Sequence, residues 1–393
     1  MSRTLSILLF LVLTADALLV FLIPVMIYGL TESLALSGLT FAMAWLPRII
    51  ISPLVGAAID RWGVRPVSVV SDAAKLCGCA GVIAVLLNKP EPLVVTLAGG
   101  LLSGLMATGT AQSLIAYEKM IALASQAIDR DVNLLCRVDQ LAMVAGPLLG
   151  FIGFTAGAVS LLSVAAVMYA INGVCYFFSR SIPKNPHIEP VRVEPARACN
   201  VRLILLTPLL MASVMLAVGN NAFDGLVEAS AVALIDRAMH LPIQYFAFVD
   251  MCAGLCGVAA TLLYPRFAQA TTPARLFVSA ALITSTASAL MIAAQGHLIG
   301  FLALHAINVG GKVFVFNFTR NLRIRLVPIH RLAGVSSLMT LMNQAVLPMV
   351  GLALYAMGER TSMVSVLMAL AIGISVLATY RIYRLMQAAP PVS

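Results

Sequence analysis

The sequence predicts an all-α membrane protein of about twelve transmembrane helices in two pseudo-symmetric six-helix bundles, and three observations carry that prediction. Of its 393 residues, 61% are apolar and 10% charged, against roughly 45–50% and about 25% in an ordinary globular protein. So few charges cannot cover a water-facing surface. Apolar runs of 20 or more residues recur from end to end, each long enough to cross a hydrocarbon core of roughly 30 Å. The basic residues gather in the short breaks between those runs, the pattern of positive-inside topology.

The first run, Leu5–Leu30, begins like a secretory leader, since Arg3 precedes it and Thr14-Ala15-Asp16-Ala17 faintly resembles a cleavage site. Its apolar pattern continues well past Ala17, so it reads as a retained span. Glycine, proline and charge breaks then delimit Leu34–Ile59, Val67–Leu87, Leu93–Ala116, Val132–Phe154 and Ala158–Phe178, closing a first bundle over residues 1–180. Residues 181–202 hold Pro183, Pro186, Pro190 and Pro195 among alternating charges, a composition that reads as a solvated linker. The second bundle, 203–393, takes Ile204–Ile235, Tyr245–Leu263, Leu276–Ala293, Leu298–Phe318, Leu332–Met357 and Met363–Tyr380.

With the amino terminus inside, only Lys89, Arg237 and Arg360 fall in outer loops, so both termini are expected on the cytoplasmic side. The net charge of +9 follows from this topology and does not point to nucleic acid. The seven cysteines lie almost entirely within apolar runs and read as small packing residues. The halves also repeat. At an offset of 201, Ile128-Asp129-Arg130 answers to Ile329-His330-Arg331, and Pro147 and Gly150 answer to Pro348 and Gly351. At an offset of 205, Phe41, Ala42 and Arg61 answer to Phe246, Ala247 and Arg266. Two similar bundles are a transporter plan.

Between the second and third spans stands Gly56-Ala-Ala-Ile-Asp60-Arg61-Trp-Gly63-Val-Arg65. Gly56 allows close helix approach, Gly63 permits a tight turn, and Asp60, Arg61 and Arg65 set fixed charges at the membrane surface. The segment matches G-x-x-x-D-R-x-G-x-R at every fixed position, and on it the chain resembles the major facilitator superfamily. That resemblance implies a cytoplasmic gate, with Asp60 facing the amino end of the eleventh span, where a helix dipole favours a carboxylate.

In the fifth span, Gly146-Pro147-Leu-Leu-Gly150 resembles the G-P-x-x-G element of exporters in this superfamily, although Phe151 stands where a second glycine is usual. Physically, Gly146 and Gly150 form a small-xxx-small surface and Pro147 loosens one backbone hydrogen bond. Leu46-Pro47-Arg48 through Arg61 and Asn321 through Val350 widen the resemblance to the drug and siderophore exporter branch, which includes enterobactin and macrolide efflux proteins. The arginine that many drug/proton antiporters carry in the fourth span is missing from Gly100 to Gly109. The resemblance implies a monomer in the bacterial inner membrane, with membrane lipid as solvent. The expected activity is export of a small molecule by alternating access, with a siderophore or similar polar metabolite favoured, and a mid-span carboxylate such as Asp16 points to protons as the coupling ion. Multidrug efflux is the alternative and import of a metabolite a remote one.

An intramembrane charge costs roughly 2.5–3.5 kcal/mol on the mildest scale, so each is a functional candidate. Asp16 stands halfway along the first span, and Arg48 lies about 18 Å above the cytoplasmic end of the second. Asp250 is placed about 12 Å, and Lys312 about 20 Å, in from the outer ends of their spans. These four are the candidate substrate and proton-coupling residues, with an Asp16–Arg48 bracing pair as the structural alternative. Two cations among them hint at an anionic cargo. Asp72 with Lys75 and Asp224 with Glu228 read as local pairs or gates. No H-E-x-x-H, G-x-S-x-G or phosphate-binding glycine loop occurs. The sequence therefore predicts no enzyme, no cofactor and no metal centre, and energy drawn from a gradient.

Overall fold

The structure is a computed structural model and describes residues 3–88, 91–124, 128–178, 196–327 and 332–388. It is helical throughout these segments. In the first half run α1 (Arg3–Thr31), α2 (Leu34–Trp62), α3 (Val64–Leu87), α4 (Pro92–Ala124), α5 (Ile128–Ile152) and α6 (Ala158–Phe178). The second half holds α7 (Ala196–Leu206), α8 (Pro208–Arg237), α9 (Ala247–Ala270), α10 (Pro273–Ala293) and α11 (Leu298–Leu326). It closes with α12 (Leu332–Gln344), α13 (Val346–Met357) and α14 (Thr361–Ala388). Among the described residues, 11 stretches are long and apolar enough to cross a membrane. The charge-bearing α5, with Asp131, Arg137 and Asp139, is a further long helix of 25 residues that falls outside those 11 stretches.

Local chemistry explains the boundaries. Ser33 caps α2 by accepting the Leu36 N–H at 3.2 Å. Pro208 and Pro273 open α8 and α10 at the position where a missing N–H costs nothing. Gly63 alone joins α2 to α3, with φ 92° and ψ 164°, a conformation essentially restricted to glycine.

Two spans expected to be continuous are interrupted. The seventh breaks at Thr207, because Pro208 offers no N–H to the Ile204 carbonyl, and the eleventh breaks at Ala345, where Pro348 does the same to Gln344. At the second break Asn221 donates to the Asn343 carbonyl at 2.9 Å. Residues 181–195 of the expected linker lie outside the described residues, and its remainder, from Ala196 to Arg202, is helical in α7. Beyond Pro195 nothing there opposes a helix until Pro208. Helices α4, α11 and α14 run past the ends of their apolar patterns, since Lys, Arg and Glu end hydropathy but not helix propensity.

The chain divides into two compact units. One holds α1 to α6 with Leu241–Leu255 and Gly351–Gly358; the other holds α7, α8, Cys256–Val350 and α14. In the first unit α1 is the most enclosed helix, with Leu9, Ala15, Leu18, Phe21 and Ile27 fully buried. Close packing depends on glycine. A Cβ at Gly100 would stand 2.9 Å from the Thr40 carbonyl, and one at Gly104 2.9 Å from the Pro47 ring, so α4 lies directly on α2. In the second unit α8 is the enclosed helix. Its Ala212 and Leu216 pack with Phe277 of α10, Val315 of α11 and Ile382 of α14.

Candidate functional site

Near the midpoint of α1, Asp16 is buried and held from two sides. Lys75 of α3 donates to its Oδ2 at 3.0 Å, and the Tyr169 hydroxyl of α6 donates to its Oδ1 at 2.6 Å. Lys75, 1% exposed, also stands 5.0 Å from the Tyr169 ring centre, so the cation is shared between a carboxylate and a π-face. Three helices thus meet on one buried charge pair. Gly109 of α4 leaves the room that the Lys75 side chain fills. One turn along α3, Asp72 is buried too and accepts from the Asn172 amide of α6 at 2.6 Å.

The second unit has a counterpart. Lys312, near the midpoint of α11 and buried, is paired with Asp224 near the midpoint of α8, and its ammonium lies 5.1 Å from the Phe223 ring centre. The Asp224 side chain is 41% exposed. A half-exposed carboxylate at mid-span implies water beside that face of α8, because lipid would not tolerate it. On the same face of α11 as Lys312 lie Asn308, bonded to Ser288 of α10, and His305, stacked on Phe301.

Of the four predicted substrate and coupling residues, Asp16, Arg48 and Asp250 fall in the first unit and Lys312 in the second. Asp16 and Lys312 are the centres of the two pairs. The bracing pair offered as the structural alternative, Asp16–Arg48, is replaced by Asp16–Lys75, and the Arg48 guanidinium lies 4.4 Å from the Trp45 ring centre. Asp250 sits in the first turn of α9, where the helix dipole favours a carboxylate.

Within the gate motif, Gly63 makes the expected tight turn, its N–H donating to the Ile59 carbonyl at 2.9 Å. Arg61 is exposed beside Trp62 and Arg65 is half-buried. Gly56 and Asp60 belong to α2, and their side-chain surroundings lie outside the described residues. In the fifth-span motif, Gly146 and Gly150 press on α1 at Ala17, Leu18 and Phe21, immediately beside Asp16. Pro147 is accommodated within α5 without a break.

Sequence reasoning missed Tyr169 and Asn172, gave Lys75 only a local pairing with Asp72, and treated Asp224 as peripheral. Depth was the available signal, since Lys75 and Asp224 stand as close to the middle of their helices as Asp16 and Lys312 do. Among the described residues, no three His, Cys, Asp or Glu side chains come together as metal ligands do.

No protein-family model matches the sequence, and no curated protein matches it. Solved structures do match in fold. The nucleoside transporter NupG superposes with a TM-score of 0.75 at 13% identity, covering 96% of this chain and 98% of its own. A bacterial homologue of the iron transporter ferroportin, in its inward-facing state, gives 0.71 at 16% identity over 98% and 99% of the two chains. A bacterial metal transporter gives 0.70 at 15% identity over 97% of each. The class that the fold defines is therefore the multi-pass helical architecture of membrane transporters. In particular, the chain has the major facilitator fold.

Proposed function

We propose that this protein is a secondary transporter that moves a small polar molecule across the bacterial inner membrane by alternating access, coupled to protons, in the export direction. The observation that carries the reading is the buried Asp16–Lys75–Tyr169 cluster at mid-span. A carboxylate there exchanges a proton for its partners' hydrogen bonds, and ionisable groups inside membranes mark such pathways. The transporters of like fold are described as carrying nucleoside, metal and iron, which favours a polar cargo over a lipophilic one. The G-P-x-x-G element of α5 supports export, and the match at Gly56, Asp60, Arg61, Gly63 and Arg65 supports a cytoplasmic gate. In this reading residues 1–180 and 203–393 are the two moving bundles, 181–202 is their linker, both termini are cytoplasmic, and the working unit is a monomer in lipid.

Uptake into inverted vesicles energised by a pH gradient tests this. Citrate-type siderophores and cationic dyes are compared in the parent and in Asp16→Asn. Gradient-driven siderophore uptake that Asp16→Asn abolishes, with the variant folded, is the expected result. Dye uptake without siderophore uptake reassigns the protein to multidrug efflux, and unchanged transport in Asp16→Asn removes Asp16 from coupling.

A further inference from the structure

Among α8, α11 and α12, all in the second unit, lies a cavity of about 340 Å³ with polar walls. It differs from the larger hollow bounded by α2, α3 and α4, of about 500 Å³, whose lining is mostly apolar. Thr319, Arg320 and Arg323 enter it from the last turns of α11, Asn221 from α8, and Thr340 and Asn343 from α12. None of the described residues lining it is acidic. Two of the residues that line it carry a buried polar atom with no hydrogen-bond partner among the described residues, Arg323 at Nε and Asn343 at Oδ1. One is a charged donor and the other an acceptor. Leaving such groups unmet costs about 1–3 kcal/mol each, more for a charge, so these two side chains gain by turning toward a complementary group in the cavity.

We propose that this cavity binds a small organic anion that presents a carboxylate or phosphate to Arg320 and Arg323 and a hydroxyl to Asn343. Guanidinium groups hold both anions through paired N–H donors. The break at Ala345 serves the site, because Asn221 satisfies the Asn343 backbone carbonyl and leaves the Asn343 side chain to face the cavity. Depth ties the site to the second ion pair. The arginines lie at the end of α11, whereas Asn221 is about 20 Å along α8 and within one turn of Asp224. An anion reaching Asn221 therefore brings negative charge within one helical turn of the Asp224 carboxylate, the partner of Lys312. The binding site stands independently of the transport reading, since binding is read at equilibrium without a gradient.

A free metabolite and a phospholipid headgroup present the same chemistry, and the test separates them. Purified, delipidated full-length protein is titrated calorimetrically with citrate and with inorganic phosphate. In a second arm the protein is placed in nanodiscs of phosphatidylcholine, with and without phosphatidylglycerol, and the citrate titration is repeated. Saturable citrate binding that weakens tenfold or more in Arg323→Gln, weakens further in Arg320→Gln/Arg323→Gln, and is unchanged in Arg325→Gln is expected. Arg325 is exposed and lies outside the cavity lining. Asn343→Asp adds a like charge without removing an arginine, and loses citrate binding while keeping its melting temperature. Binding that phosphatidylglycerol displaces assigns the site to a lipid phosphate; binding it leaves alone assigns it to a free anion. Absence of citrate, phosphate and phosphatidylglycerol binding in the parent, or parent-like binding in both Arg323→Gln and Asn343→Asp, overturns the proposal.

Discussion

Consider the removal of Lys75 and Asp16, singly and together. At 3.0 Å and an effective dielectric of about 20, their attraction amounts to about 5–6 kcal/mol before desolvation is subtracted. Lys75→Met strands a buried carboxylate with only the Tyr169 hydroxyl, and breaking a buried pair from one side costs about 3–5 kcal/mol. Asp16→Asn is milder, because the Lys75 cation still rests on the Tyr169 ring. The double variant removes both members of the pair and leaves Asp72 with its hydrogen bond from Asn172. Equilibrium unfolding in mixed micelles should therefore show the double variant more stable than the sum of the single losses allows. A coupling of about 2 kcal/mol lies within the roughly 0.5–3 kcal/mol known for contacting residues. Single losses that simply add, to within about 0.5 kcal/mol, would refute the idea that these residues act as one unit.

Three further substitutions probe the backbone. Gly63→Ala places a side chain at φ 92° and ψ 164°, a strain of about 1–3 kcal/mol, and should lower the melting temperature without altering helix content by circular dichroism. Gly146→Ala and Gly373→Ala form a contrasting pair. The first drives a methyl to within 2.6 Å of Ala17 and should destabilise by about 1–3 kcal/mol; the second meets nothing within 4 Å and should stabilise by about 0.5–1 kcal/mol, both read by thermal melting.

Hydropathy and proline positions were enough to place the spans, and the register of Gly63 was readable because one residue had to reverse the chain. The broken seventh and eleventh spans were legible in principle at Pro208 and Pro348. They were passed over because apolar composition continues through both breaks. The identity of Asp16's partner was not legible. Arg48 and Lys75 stand at similar depth on neighbouring helices, and the choice depends on how α2 and α3 are rotated about their own axes. That rotation is fixed by packing such as Gly100 and Gly104 against α2, which carries no charge signal. Asp72 and Lys75, three residues apart, looked self-sufficient as a pair, yet both turn to α6 or α1 for their partners.

The connection at Gly63 leaves no slack between α2 and α3. A tilt of the surface-exposed end that carries Arg61 and Arg65 is thus handed directly to a stiff rod. About 16 Å further along that rod stands Lys75. In the alternating-access reading proposed above, the hairpin is a lever whose short arm is a charged surface and whose long arm ends at Lys75, on Asp16.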